Sequence, residues 1–478
     1  MTDFRSREVK AILEHSETRA LFISGKMLAR FTGKLPRAVE LVVNLDDFSV
    51  LELSDRKIVL QAIPEAGKLK KLEAGEDTLV PVERIQTTDP DSVASIIYTS
   101  GTTGRSKGVI LSHWNLLSDV INVASIHQVH ETDVFLSILP LAHAYEFSIG
   151  FLVALLNGAS IHYIDKAPTA TILGPILAKI RPTTMLTVPL IMEKIYKAKI
   201  RPALYKSLPM KAAMKFGPTR KLLSKAASKK LQGFFGGRLR FFGIGGAPLA
   251  PEVERFLIEG KFPYAIGYGL TETAPMIAGF SPKAQVFRSV GTTMAGCDIR
   301  IHEPDPQTGE GEIVVTGPNI MRGYYKDEER TGEAFTDDGY FRTGDLGYMN
   351  KNGVIYIRGR IKNMILGPNG ENIYPEEIEA VINSEELVNE SLVMQYKGKL
   401  VALVNLKAEV LEEQFKYLEE NANDFQAAMQ TKTEEILDEL LAHVNEHVAR
   451  NSRLQSMILQ LQPFEKTPTQ KIKRFLYS

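Results

Sequence analysis

The stretch Ser92–His113 reads SVASIIYTSGTTGRSKGVILSH. Its first half, SVASIIYTS, is apolar and β-branched, the composition of a buried strand. Its second half places Thr99, Ser100, Gly101, Thr102, Thr103, Gly104 and Lys107 close together. Glycines let successive backbone N–H groups converge on an anion, and hydroxyls add further donors. By composition the loop is a phosphate cradle. It is not a Walker A loop, because Ser106 stands where that motif requires a second glycine after Gly101.

Working outward, the runs TDVFLSILP (132–140), TTMLTVP (183–189) and RLRFFGIGG (238–246) also read as strands. Helical patterns such as HWNLLSDVINVASIH (113–127) and PLIMEKIYKAKI (189–200) lie between them. This alternation predicts an α/β fold with helices packed on several sheets. The run FSIGFLVALL (147–156) is about half the ~20 residues needed to span a bilayer and reads as a buried helix. Near Gly359 the Gly- and Pro-rich punctuation gives way to a compact region and then an acidic helical stretch from Glu409 to about Arg450. The expected organisation is a large domain over 1–358, a hinge at 359–362 and a small α+β domain over 363–478.

The chain has 478 residues, enough for two or three domains, and its 44% hydrophobic and 24% charged residues are ordinary for a globular protein. Its formal net charge is zero, which gives no reason to expect nucleic acid as a partner. A single cysteine, Cys297, excludes disulfides within the chain and multi-cysteine zinc sites, and points to a reducing, cytoplasmic compartment. The opening residues show no apolar signal region. Charge is nevertheless uneven. Between Glu193 and Glu252 there are 14 lysines and arginines and no acidic residue, with apolar residues interleaved over 194–240. Such a segment suits peripheral contact with an anionic membrane, here the inner face, or forms a solvated helical face balanced by the acidic small domain.

YTSGTTGRSKGVILSH resembles the phosphate loop of the adenylate-forming enzymes: acyl-CoA synthetases, luciferases and the adenylation domains of peptide synthetases. Six further stretches match that family in order. They are LPLAHAYE (139–146), GIGGAPL (243–249), YGLTET (268–273), GYFRTGDLG (339–347), GRIKNMI (359–365) and TPTQKIKR (467–474). The resemblance is greatest to the bacterial long-chain fatty-acid–CoA ligases. It implies ATP- and Mg²⁺-dependent conversion of a fatty acid to acyl-AMP, then transfer to coenzyme A. An acyl carrier protein as acceptor, an enzyme that stops at acyl-AMP, and a truncated non-catalytic ATP- or acyl-binding relative are the alternatives.

The resemblance also implies roles for particular residues. The Tyr268 ring stacks on adenine, flanked by Gly267 and Gly269, and Gly246, Ala247 and Pro248 line the other side of the base. Thr271 donates to the α-phosphate and Glu272 holds Mg²⁺ through carboxylate oxygens. Asp345 accepts from both ribose hydroxyls, with Arg360 beside the ribose or phosphate. His143 lies beside the path of the acid, and Phe147 near a gate to the acyl tunnel. Lys471 aligns with the catalytic lysine, a cation that stabilises charge as carboxylate and α-phosphate approach. Gln470 stands where the family usually has glycine, and Lys466, Lys473 and Arg474 are neighbouring cations. Lys362 is the pivot of the domain swing, and Gly370 marks the passage for pantetheine. Family members usually carry roughly a hundred more residues, about the scale of a small domain, before the region that the opening of this chain resembles. A missing N-terminal portion is therefore expected to leave sheet edges and apolar faces uncovered.

Overall fold

The computed structural model describes residues 6–29, 31, 34–51, 53–54, 57–58, 89–100, 106–164, 168–367, 371–385, 387–407, 425–466 and 472–477. At its centre is a seven-stranded sheet. The strands Val134–Ser137, Ser160–Tyr163, Thr184–Thr187, Phe241–Ile244 and Tyr264–Gly269 run parallel. Met276–Gly279 and Thr292–Thr293 then extend the sheet antiparallel. Burial on both faces explains the composition of the central strands: every residue of Thr184–Thr187 and Phe241–Ile244 is buried, so neither shows polar alternation. The main core packs Leu136, Met185, Phe242 and Tyr264 against the helices Ala170–Ile180, Gly217–Phe234 and Pro251–Glu259.

The phosphate-loop strand Val93–Ser100 forms a hairpin with Ser106–Ser112, and Gly323–Tyr324 adds to its other side. The chain passes directly from that hairpin into the helix His113–Val123. Ser112 and Asn115 cap its start reciprocally, each side chain bonding the other's backbone N–H. A four-stranded antiparallel sheet follows, ordered Asp298–His302, Gly311–Thr316, Phe341–Met349 and Ile355–Arg360. The small domain stacks the helices Pro375–Ile382 and Phe425–His447 on Val388–Tyr396, Lys399–Leu406 and Ser456–Leu459.

The stretch expected to be a buried helix is helical but not buried throughout. Glu146–Leu152 has π-helical bonding and Val153–Leu156 is α-helical, yet Leu155 and Leu156 are exposed. The side of the helix carrying Ile149, Val153 and Ala154 packs in a core with Phe135, Leu186 and Phe241, while Leu155 and Leu156 face away from it.

Candidate functional site

In open α/β sheets ligands bind beyond the carboxyl ends of the parallel strands. Several of the residues singled out from the sequence stand there. His143 follows Val134–Ser137, Gly246–Pro248 follow Phe241–Ile244, and Thr271 and Glu272 follow Tyr264–Gly269. Gly246, Ala247 and Pro248 are exposed, and Gly246 has φ +90° with open space where a side chain would lie. Gly267 and Gly269 have a packing reason as well. A Cβ on Gly269 would drive into the Pro275 carbonyl, and one on Gly267 would crowd the Met276 methyl at 2.9 Å.

Two charged clusters form beside these strand ends. In the first, Lys107 Nζ donates to Glu272 Oε1 at 3.1 Å and to the Tyr324 hydroxyl at 2.7 Å. That hydroxyl in turn donates to Glu272 Oε1 at 3.0 Å. Burial, and then the Glu272 carboxylate, push the Tyr324 hydroxyl upward, so it keeps the proton it donates. In the second cluster both oxygens of the buried Asp345 carboxylate are engaged. The Tyr268 hydroxyl donates to Oδ2 at 2.7 Å, and Arg360 Nε meets Oδ1 at 2.8 Å. Arg360 also donates to the Thr343 carbonyl at 3.0 Å. The Tyr268 ring, expected against a base, is buried in the core with Ala274, Ile277 and Phe341, and its hydroxyl is raised by burial and by Asp345.

The turn carrying Thr271 and Glu272 is pinned from below. Buried Asn319 donates to the carbonyls of Thr273 and Met276 at 2.7 and 2.8 Å. Thr273 bonds back to Leu270 and Pro275. Residues at the start of the turn are thereby fixed relative to the phosphate-loop hairpin, because Met321, two residues beyond Asn319, donates its N–H to the Glu272 carbonyl.

A small apolar cavity of about 10 Å³, room for roughly one water, is lined by Val123, Ile126, Tyr145, Ile149, Phe241 and Met276 among others. The Tyr145 ring lies over Gly243 and Gly245, where any side chain would strike it. Glu146, next in sequence, is buried with one carboxylate oxygen lacking a partner among the described residues, and burial raises it to about 7. Phe147 stacks with Phe151, ring centroids 6.1 Å apart. His143 starts the helical segment, its carbonyl accepting from the Phe147 N–H at 2.8 Å.

Gly101, Thr102, Thr103, Gly104, Gly370 and Lys471 lie outside the described residues. At the loop's entry Thr99 Oγ1 is buried and has no hydrogen-bond partner among the described residues. Lys362 is exposed in the short 3₁₀ turn Ile361–Asn363, immediately after Arg360 ends its strand. The site's oxygen donors, a buried carboxylate beside hydroxyls, suit a hard ion such as Mg²⁺, and Lys107 with the loop's N–H groups suits a polyphosphate. Reading the sequence missed Tyr324, Tyr145 and Asn319. Tyr324 lies in NIMRGYYKDEERT (319–331), where nothing local marks it as the partner of Lys107.

A family model described as AMP-binding enzyme matches residues 1–325, and the chain belongs to that family. The peroxisomal long chain acyl-CoA synthetase 6 of Arabidopsis thaliana is 34% identical over 67% of this chain and 49% of that protein. The peroxisomal synthetase 7 of the same plant is 30% identical over 85% of this chain and 60% of that protein. The long-chain-fatty-acid–CoA ligase FadD15 of Mycobacterium bovis is 29% identical over 85% and 68%. The chain thus spans between half and three-fifths of the two plant relatives. Among solved structures, O-succinylbenzoate coenzyme A synthetase from Bacillus subtilis in complex with AMP shares the fold, with TM-score 0.68 at 21% identity, covering 99% of this chain and 80% of that one. ATP-bound MatB from Rhodopseudomonas palustris does so at TM-score 0.68 and 22% identity, covering 99% and 81%.

Proposed function

We propose that this chain condenses a long- or medium-chain fatty acid with ATP to acyl-AMP, releasing pyrophosphate, and then transfers the acyl group to coenzyme A. The observation that carries the reading is the placing of the Lys107–Glu272–Tyr324 and Tyr268–Asp345–Arg360 clusters beside the strand ends. The names of the relatives supply the acid class.

Lys107, the loop N–H groups and Thr271 hold the phosphates. Gly246–Pro248 and the edge of Tyr268 receive the base. Asp345 and Arg360 anchor the ribose. Glu272 holds Mg²⁺, which would neutralise phosphate charge when bound. His143 and Tyr145 line the approach of the carboxylate to the α-phosphorus. Positioning supplies much of the rate, since both reactants are anions that must be held together. Lys471 supplies the cation between them. Its neighbours are already committed: Lys466 pairs with Glu390, Lys473 with Glu465, and Arg474 with Glu379. Lys362 then serves as pivot and Gly370 as the passage for the thiol. The large and small domains meet here through Lys197 on the Asn383 carbonyl and Tyr374 on Glu310, contacts a swing has to break.

The basic segment adds a docking face for an anionic bilayer. Leu208, Phe216 and Leu222 are exposed among Lys206, Lys211, Lys215, Lys221 and Lys225. No helix among the described residues is long and apolar enough to cross a membrane. Each cation near an anionic surface contributes about 1 kcal/mol. Co-sedimentation with phosphatidylglycerol vesicles but not phosphatidylcholine vesicles is expected, and equal partition with both removes the charge argument.

The deciding experiment measures pyrophosphate release over a panel of acids, with and without coenzyme A, for wild type and Lys471→Ala. Release on fatty acids that needs Lys471, with AMP release that needs coenzyme A, supports the reading. Release without any thiol dependence makes the chain an acyl-AMP ligase. Nucleotide binding with no release on any acid makes it a non-catalytic relative.

A further inference from the structure

The segment His443-Val-Asn-Glu-His447 closes the helix Phe425–His447 and takes no part in the chemistry above. Histidines four residues apart share a helix face, and a glutamate three residues after the first lies on the same side. One ligand atom each from His443, Glu446 and His447 lie within 4.8 Å of one another. The two rings stand 4.4 Å apart at 39°. Glu385, just beyond the helix Pro375–Ile382, brings Oε1 to 3.2 Å from His443 Nε2. We propose that His443, Glu446 and His447, with Glu385 as a fourth donor, form a binding site for a divalent transition-metal ion of the zinc type.

Three features beyond proximity support it. First, His447 Nδ1 lies 2.8 Å from the His443 carbonyl, which can only accept. Nδ1 therefore carries the proton, and the Nε2 lone pair is left for a ligand, the arrangement common to metal-bound imidazoles. Second, the donors sit in the last turn of a 23-residue helix, where the outward carbonyl ends favour a cation. Third, the platform is rigid. Val444 is fully buried and Leu440 nearly so, packed in one core with Ile378 and Ile382. The ion would clamp the end of one helix to the turn that follows the other. Two imidazoles with carboxylates select zinc, nickel or copper over magnesium. The site is on a different domain from Glu272, so it is independent of the Mg²⁺ expected there.

The test uses the full chain without an affinity tag. Isothermal titration with Zn²⁺, in excess Mg²⁺, is compared across wild type, His447→Ala, the double variant His443→Ala/His447→Ala, and Glu385→Gln. The expected result is one ion per chain, a loss of affinity of at least ~10-fold for His447→Ala, a smaller loss for Glu385→Gln and no site in the double variant. All three helix positions are exposed, so melting without metal should be unchanged, and zinc should raise the wild-type midpoint most and leave that of the double variant where it was. Unchanged zinc affinity in the double variant overturns the proposal, because the nine histidines of the chain include others that could be responsible. So does a wild type that takes up no zinc at micromolar concentration.

Discussion

The region around Asp345 and the unit Ser6–Val50 are built by opposite means. Around Asp345, buried polar groups bond one another across distant stretches of sequence: Tyr268 to Asp345, Lys107 to Glu272 and Tyr324, Asn319 to two carbonyls of the Thr271 turn. The N-terminal unit has a two-stranded parallel sheet, Ala20–Ile23 with Leu41–Asn44, and a small core of Leu13, Ile23, Leu28, Leu35, Val39 and Val42. Phe22, Leu45, Phe48 and Val50 are exposed there. Two strands alone are below what an independent sheet needs. The unit is attached mainly by polar contacts near the phosphate-loop strand: His15 on the Tyr98 hydroxyl at 2.7 Å and Lys326 on Glu17 at 2.7 Å. The geometry of the nucleotide side is thus set by groups that do not depend on the N-terminal unit, whereas the unit depends on the strand it leans against.

Four substitutions sharpen that contrast. The largest effect is expected at Asp345→Ala. It strips Tyr268 and Arg360 of their shared partner as well as removing the ribose acceptor. Pyrophosphate release should fall about 100-fold or more, and the folded state should lose about 2–4 kcal/mol. Activity within a few-fold of wild type would separate this cluster from the nucleotide site. Gly269→Ala comes next, since its Cβ meets a backbone carbonyl that cannot step aside. A loss of about 3 kcal/mol in chemical denaturation is expected, and a neutral result would mean the turn is looser than it is drawn.

Glu146→Gln should stabilise, with a sign set by pH. Burial raises the folded carboxyl to about 7 from a usual 4.5, so the folded state keeps a proton that the unfolded chain releases. The penalty is absent below pH 4.5, grows as pH rises through that window and is complete above pH 7. The variant should therefore gain up to about 3 kcal/mol at pH 8 and almost nothing at pH 4.5, read from denaturation at both. The smallest effect is expected at Phe22→Thr, which places a β-branched strand former where the ring is already exposed. Stability should change by no more than about 0.5 kcal/mol. A larger loss would show that the N-terminal unit packs against something through that face.

The strands at 134–137, 184–187 and 241–244 were legible in the sequence because burial on both faces writes itself as short β-branched and apolar runs. The strand at 93–100 was legible by the same composition, although Val93–Thr99 are only part-buried or exposed. The stations at strand ends followed from the ordered motifs. Side-chain partnerships did not. Lys107 and Tyr324 are 217 residues apart and meet because Gly323–Tyr324 pairs with Ser106–Ser112, a register no local pattern encodes. Tyr145 over Gly243 and Gly245 is likewise a contact between two motifs that each look complete alone. The apolar run at 147–156 misled in its last turn, since hydrophobicity gives the length of a helix but not which of its side chains meet the core. For Tyr268 the resemblance gave a role to the ring, and nothing in the sequence announced the hydroxyl's bond to Asp345.

Lys107 and Glu272 hold each other at 3.1 Å, mostly out of water. Parting them leaves two opposite charges stranded unless each acquires a new counterion at once. An anion arriving alone satisfies the lysine and abandons the glutamate; a cation arriving alone does the reverse. If the site takes ATP and Mg²⁺ as proposed, the pair would discriminate by charge, admitting a pre-assembled salt of polyphosphate and divalent metal far more readily than either ion separately. At constant total nucleotide, occupancy of the site should track the concentration of that complex and not that of the bare triphosphate.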